Sequence, residues 1–156
     1  MNDSAPLTDI YPPSAFYFKV MFGGPQETVD TFFQEVSGIS SEIEVESVAE
    51  GGENRFVHQL AKGFKHPNLE MKRGIAPMTS PLVKWCKAVM EKDLIESIES
   101  KAIRVFLMDE NKKVIRGWLF DSAYPVKWEI ESFSSTKNEV AIEKIVFSYT
   151  FSKRIV

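Results

Sequence analysis

A chain of 156 residues with 19 Lys plus Arg against 22 Asp plus Glu, a formal charge of −3, one cysteine and two histidines has the length of one domain, since such a chain buries roughly 70% of the surface its unfolded form exposes. The charge balance gives no footprint for nucleic acid or an anionic membrane, the lone Cys86 excludes an internal disulfide, and its soft ligands are too few for a structural zinc site. No apolar run reaches bilayer-spanning length, and the opening MNDSAPLTDIYPPSAF has neither a basic head nor an apolar signal core. Cytoplasmic synthesis without a signal peptide and no membrane insertion by the chain itself are therefore expected.

In chain order, the Pro-, Ser- and Asp-containing residues 1–15 read as a flexible lead-in to a single domain over 16–156. Phe16, Phe18, Val20 and Phe22 alternate with Tyr17, Lys19 and Met21, the period of a strand, and Gly23-Gly24-Pro25 ends it. From Phe32 a short run reaches Ser37, Gly38 breaks it, and Ile43 and Val45 then alternate with Glu42, Glu44 and Glu46. That pattern predicts a half-buried strand, apolar side in and acidic side toward water. A row of like charges reads as a solvated face, because burying three unpaired carboxylates costs several kcal/mol each.

The next stretch, EGGENRFVHQL over residues 50–60 and its continuation AKGFKHP, contains three glycines and little periodicity before Leu69 and Met71 resume alternation. A glycine pair frees the backbone for a phosphate cradle or for a hinge, and the local residues do not separate the two. Ordering about twenty residues costs on the order of 20–40 kcal/mol of backbone entropy, so a loop of this length has to pack on something or stay mobile. A helix then follows, with Ser80 as N-cap, Pro81 at the first position and Leu82, Trp85, Cys86 and Val89 on one stripe. Residues 102–108 and 114–120 read as a hairpin about the polar turn 109–113, with Ile103, Val105 and Leu107 on the face opposite Arg104 and Phe106. Residues 140–151 read as the longest strand, with an apolar parity that changes near Glu143-Lys144 and implies a bulge or burial on both faces.

No dinucleotide fingerprint, P-loop, GxSxG or HExxH occurs, and no catalytic, cofactor or metal residue is assigned. His58 reads as a strand or arm residue and His66, before Pro67, as an extended loop residue. Cys86 reads as a small core residue, and Trp118, Tyr124 and Trp128 as core or interface anchors. An enzyme or ligand binder using Glu53, Arg55 and His58 would lack a partner nucleophile or metal site.

Several phrases taken together, EVSGI (35–39), EGGENRFVHQL, HPNLEMKRG (66–74), AYPVKWE (123–129) and NEVAIEKI (138–145), resemble in this order the tail tube proteins of contractile phages and the inner-tube proteins of phage-like injection systems. The resemblance spans about residues 11–154. It implies a mainly β fold, an antiparallel barrel or sandwich with one covering helix and a long inter-subunit arm, assembling into hexameric rings stacked around a channel. It also implies that Glu50, Gly51, Gly52, Glu53, Asn54, Arg55, Phe56 and His58 belong to that arm, with Glu42, Glu44 and Glu46 on the lumen or its rim. The partners it implies are further copies of the chain, sheath, baseplate and tape-measure proteins, and a DNA or protein cargo in the lumen. A specialised initiator or hub ring, or a secreted ring carrying an effector, is the alternative use of the same fold.

Overall fold

The computed structural model describes residues 16–23, 28–49, 57–74, 79–92, 97–131 and 141–156; the predicted lead-in over 1–15 lies outside them. The chain forms β1 (Phe16–Phe22), β2 (Thr28–Phe33), β3 (Glu35–Ser37), β4 (Glu42–Ala49), β5 (Val57–Lys65), β6 (Leu69–Gly74), α1 (Pro81–Glu91), β7 (Lys101–Asp109), β8 (Val114–Ile130), β9 (Ile142–Ser148) and β10 (Phe151–Arg154). Among the described residues no helix is long and apolar enough to cross a membrane.

Eight strands make one antiparallel sheet in the order β2-β1-β7-β8-β9-β6-β3, with β10 on β8, while β4 and β5 pair only with each other. The two ends of the large sheet, β2 and β3, are separated in sequence by Gln34 alone, whose N–H donates to the Lys72 carbonyl at 2.9 Å. The sheet therefore curls until its ends approach, with β2 against β6 and β1 against β3. Period-two side chains from these strands, including Val20, Phe22, Leu69, Met71, Ile103, Val105, Phe120, Ile145 and Phe147, fill the interior.

Helix α1 covers this core with the predicted stripe. Leu82, Val83, Trp85 and Cys86 are buried, and the Ser80 side chain accepts from the Val83 N–H. Trp85 stacks on Phe22 at 5.4 Å and on Phe147 at 5.5 Å. Burial pushes the Cys86 thiol up to about 12, with the Glu143 carboxylate adding to the rise, so this cysteine is a core atom rather than a nucleophile.

Two expectations need correction. From Ile142 on, the stretch is two strands, interrupted at Tyr149 and Thr150, and β9 carries no bulge near Glu143-Lys144: Glu143, Ile145, Phe147 and Tyr149 point inward, and of the opposite face Val146 is buried as well. The parity seemed to switch because an inward position is occupied by a glutamate. The longest strand is β8, which continues from Phe120 to Ile130 through Ser122 at φ 51°; along it the pairing partner changes from β7 and β10 to β9. In β7 the expected faces stand: Ile103 and Val105 are buried, Leu107 follows them in unbroken register with β1, and the shift beyond Leu107 comes from the extra Ile115 in β8, with Met108 buried on the other face.

Glu143 is held in the core by a network. Arg73, 4% exposed, donates through Nε to Glu143 Oε2 at 3.0 Å, through Nη1 to Asp30 Oδ1 at 2.6 Å and through Nη2 to Ser80 Oγ at 2.9 Å. Trp128 Nε1 donates to the second Glu143 oxygen at 2.7 Å, and the Leu82 N–H donates to Asp30 Oδ2 at 3.3 Å. The guanidinium also lies over the Phe33 ring at 4.5 Å. One arginine thus ties β2, β6, β9 and the start of α1 together, with each of its three nitrogens engaged. Such a buried, mutually paired cluster is a structural staple.

Candidate functional site: an uncovered hairpin

The described part of the segment expected to be a long loop is a strand, Val57–Lys65, and forms half of a hairpin. β5 pairs with β4 from Ala49↔Val57 at the tip end to Glu42↔Lys65 at the root. The register steps from Glu44↔Gly63 to Val45↔Ala61, which leaves Lys62 as an extra residue in β5. This bulge, together with Ala61 and Gly63, breaks the alternation that would have marked the strand in the sequence.

Side chains alternate along β4, so Ile43 and Val45 share one face with Phe64, the partner of Ile43, while Glu42, Glu44 and Glu46 share the other with Lys65. The acidic row is exposed. The expectation that the apolar side of this strand is buried is overturned: Ile43 is 52% exposed, Val45 55% and Phe64 81%, and Leu60 beside Glu46 is 56% exposed. Among the described residues no other element packs substantially on β4 or β5. The ion pair between Lys65 and Glu42, 3.8 Å apart with both side chains more than half exposed, contributes little to holding the hairpin.

A two-stranded hairpin is marginally stable at best in water, and fully burying one side chain such as Val, Leu, Ile or Phe is worth about 1.5–3 kcal/mol. Three such side chains on one face of an unsupported hairpin, Ile43, Val45 and Phe64, are therefore a latent contact surface. Glu50, Gly51, Gly52, Glu53, Asn54, Arg55 and Phe56 lie outside the described residues; their place in the chain is the connection between β4 and β5. His58 sits in β5 at the register position of Val48. His66 lies between β5 and β6, with its ring stacked on Tyr149.

A protein-family model described as T4-like virus tail tube protein gp19 matches residues 14–152. The chain belongs to that tail tube family. It is a structural tube subunit, mainly antiparallel β with one covering helix. Among solved structures it is similar to a chain of the six-fold symmetrised anti-feeding prophage baseplate, at 27% identity over 93% of this chain and 96% of that one, with a TM-score of 0.78. It is also similar to a chain of the sheath–tube complex of the PVC extracellular contractile injection system in its extended state, at 19% identity over 100% and 99%, with a TM-score of 0.76. Hcp1 from Salmonella typhimurium shares the fold at 13% identity over 90% and 85%, with a TM-score of 0.52. Comparison with curated proteins returns no match.

Sequence reading did not find Asp30, Arg73, Ser80 and Glu143 as a unit, because Asp30 and Glu143 lie far along the chain from Arg73 and Ser80 and, apart from the N-cap Ser80, each looks like an ordinary surface polar residue. It also did not find the exposed apolar face, since Ile43 and Val45 alternating with glutamates has the same pattern whether or not anything covers it.

Proposed function

We propose that this tube subunit works by self-assembly, six copies forming a ring and rings stacking around a channel, with residues 16–156 as one domain and the β4–β5 hairpin as the arm that packs on neighbouring copies. The observation that carries the reading is the pairing of a barrel that has its own core with a hairpin whose apolar side chains no other element among the described residues covers. An arm of this kind costs a monomer little and acquires its cover on assembly. Arg55, Glu50 and Glu53 suit charge-assisted contacts between copies, Gly51 and Gly52 a hinge, and Asn54, Phe56 and His58 belong to the same arm. The acidic face of Glu42, Glu44 and Glu46 stays in water on the lumen or its rim.

The partners are further copies of the chain, a sheath, a baseplate and a tape-measure protein, with cargo passing through the lumen. The particle is a phage tail or a phage-like injection machine, and the subunit performs no catalysis. The test is to replace residues 48–65 with a short Gly-Ser linker and to compare folding by circular dichroism with assembly by sedimentation. A folded chain that forms neither rings nor tubes is expected, because changing loop length costs only about 0.6 kcal/mol per doubling. Normal tubes from this variant would refute the arm; an unfolded monomer would assign the hairpin to the core.

A further inference from the structure

We infer that Tyr149 and His66 form a clamp at the root of the hairpin and act as positioning residues that set the angle at which it leaves the barrel. The inference rests on the reading of the hairpin as the arm. The hairpin has two roots, residues 38–41 entering β4 and residues 66–68 leaving β5, and Tyr149 holds both. Its hydroxyl donates to the Gly38 carbonyl at 3.4 Å, and its ring carries the His66 ring at 3.8 Å with 10° between planes.

The imidazole has a carbonyl acceptor at each edge and donates to one of them. Nδ1 lies 3.0 Å from the Pro67 carbonyl oxygen and Nε2 3.2 Å from the Thr150 carbonyl oxygen, so either tautomer has an acceptor for its N–H. Pro67 fixes its own φ and keeps His66 extended. The other root is as constrained: Gly38 has φ 88°, and a Cβ there would overlap the Asn68 carbonyl oxygen, so the first root lies flush against the second only because residue 38 is glycine.

The clamp is itself anchored. Tyr149 is 5% exposed and meets Phe120 edge-on at 4.9 Å, and the Thr150 N–H donates to the Asp121 carbonyl at 2.9 Å. Tyr149 and Thr150 are the two residues that interrupt β9 and β10. That break turns the Thr150 carbonyl toward His66 instead of into a ladder.

Because no other element among the described residues packs substantially on the hairpin, its direction is determined at the root, and the lever is long. Eight residues of β4 span about 26 Å, so a root rotation of about 15° displaces the far end by about 7 Å. An arm free to swing that far loses the preorganisation that keeps association from being spent on ordering it.

The test uses the full chain with spin labels on Lys62→Cys in β5 and Glu110→Cys in the β7–β8 turn, both exposed positions, while the native Cys86 is buried. Label-to-label distances are measured in the dilute, unassembled subunit, and assembly rate is measured on the unlabelled variants. His66→Ala is expected to broaden the distance distribution and slow assembly about tenfold, with the melting temperature of the barrel unchanged. His66→Phe, which keeps the stack and loses the nitrogen contacts, should fall between wild type and His66→Ala. Tyr149→Phe removes only the hydroxyl and serves if His66→Ala fails to fold; it should broaden the distribution as well.

A distribution as narrow as wild type in His66→Ala, or a broad one with a wild-type assembly rate, overturns the clamp. Failure of the arm reading itself is separate. It would appear as normal tubes from the linker-replaced chain, whatever the spin labels report.

Discussion

The barrel and the hairpin obey opposite rules. In the barrel even the charges are enclosed and matched: Arg73 and Glu143, 4% and 1% exposed, share bonds with each other and with Asp30, Ser80 and Trp128. In the hairpin even the apolar groups are left out, up to Phe64 at 81% exposed. A barrel that encloses and pairs its buried charges is a folding unit, whereas a hairpin with apolar groups in water is an association unit that the same chain carries. The boundary between them is the short root at Gly38 and His66, where a positive-φ glycine and a stacked imidazole replace ordinary packing.

The comparison is sharpened most by removing one partner from the buried network. Glu143→Ala leaves Arg73 without its Nε acceptor and Trp128 without its own, a loss expected to cost about 3–5 kcal/mol in urea denaturation of the isolated subunit. A loss below 1 kcal/mol would mean that the charges are not the staple described.

The mirror experiment is in the hairpin. Replacing Ile43, Val45 and Phe64 together with Ser is expected to change subunit stability by no more than about 0.5 kcal/mol, the range of ordinary surface changes. The same variant should abolish sedimenting rings and tubes, since it removes three side chains worth about 1.5–3 kcal/mol each on burial. If the triple variant melted like a core mutant, the hairpin would belong to the folding unit after all.

Cys86 tests the enclosure of the barrel without changing it. Its thiol is pushed up to about 12 by burial first and by the Glu143 charge next. The protonated form is therefore favoured by folding: the associated stability is present below the ordinary thiol value and is lost as pH rises from about 9 toward 12. Iodoacetamide at pH 8 should leave Cys86 unmodified in the folded subunit and modify it in urea. Rapid labelling of folded protein would show that the layer under α1 opens readily. The smallest effect is expected at the root ion pair, where Glu42→Gln should alter stability and assembly by less than about 0.5 kcal/mol because both partners are exposed.

The difference between the two regions also explains what was legible in the sequence. β1, β6, β7 and α1 were readable because one face is buried and the period is regular: Phe16 to Phe22 alternates, and Ser80-Pro81 opens a helix whose stripe reaches the core. β5 was not, because the extra Lys62 and the residues Ala61 and Gly63 erase its alternation. β9 was misread at Glu143, since a glutamate in an inward position looks like a change of face until Arg73, seventy residues away in sequence, is seen beside it. The uncovered state of Ile43 and Val45 was out of reach for a different reason. Periodicity reports which side chains share a face and carries no information on what that face meets. The family resemblance supplied the arm as an expectation, but not its hairpin register, its apolar face or its root.

The central claim, that the barrel folds by itself and the hairpin acquires its stability from assembly, is tested most directly by amide hydrogen exchange on the free subunit and on assembled tubes. The account predicts that amides of β4 and β5 exchange rapidly in the subunit and become strongly protected in the tube, while amides of β7, β8 and β9 are protected in both. Protection of β4 and β5 in the free subunit equal to that of β7 and β8 would contradict it.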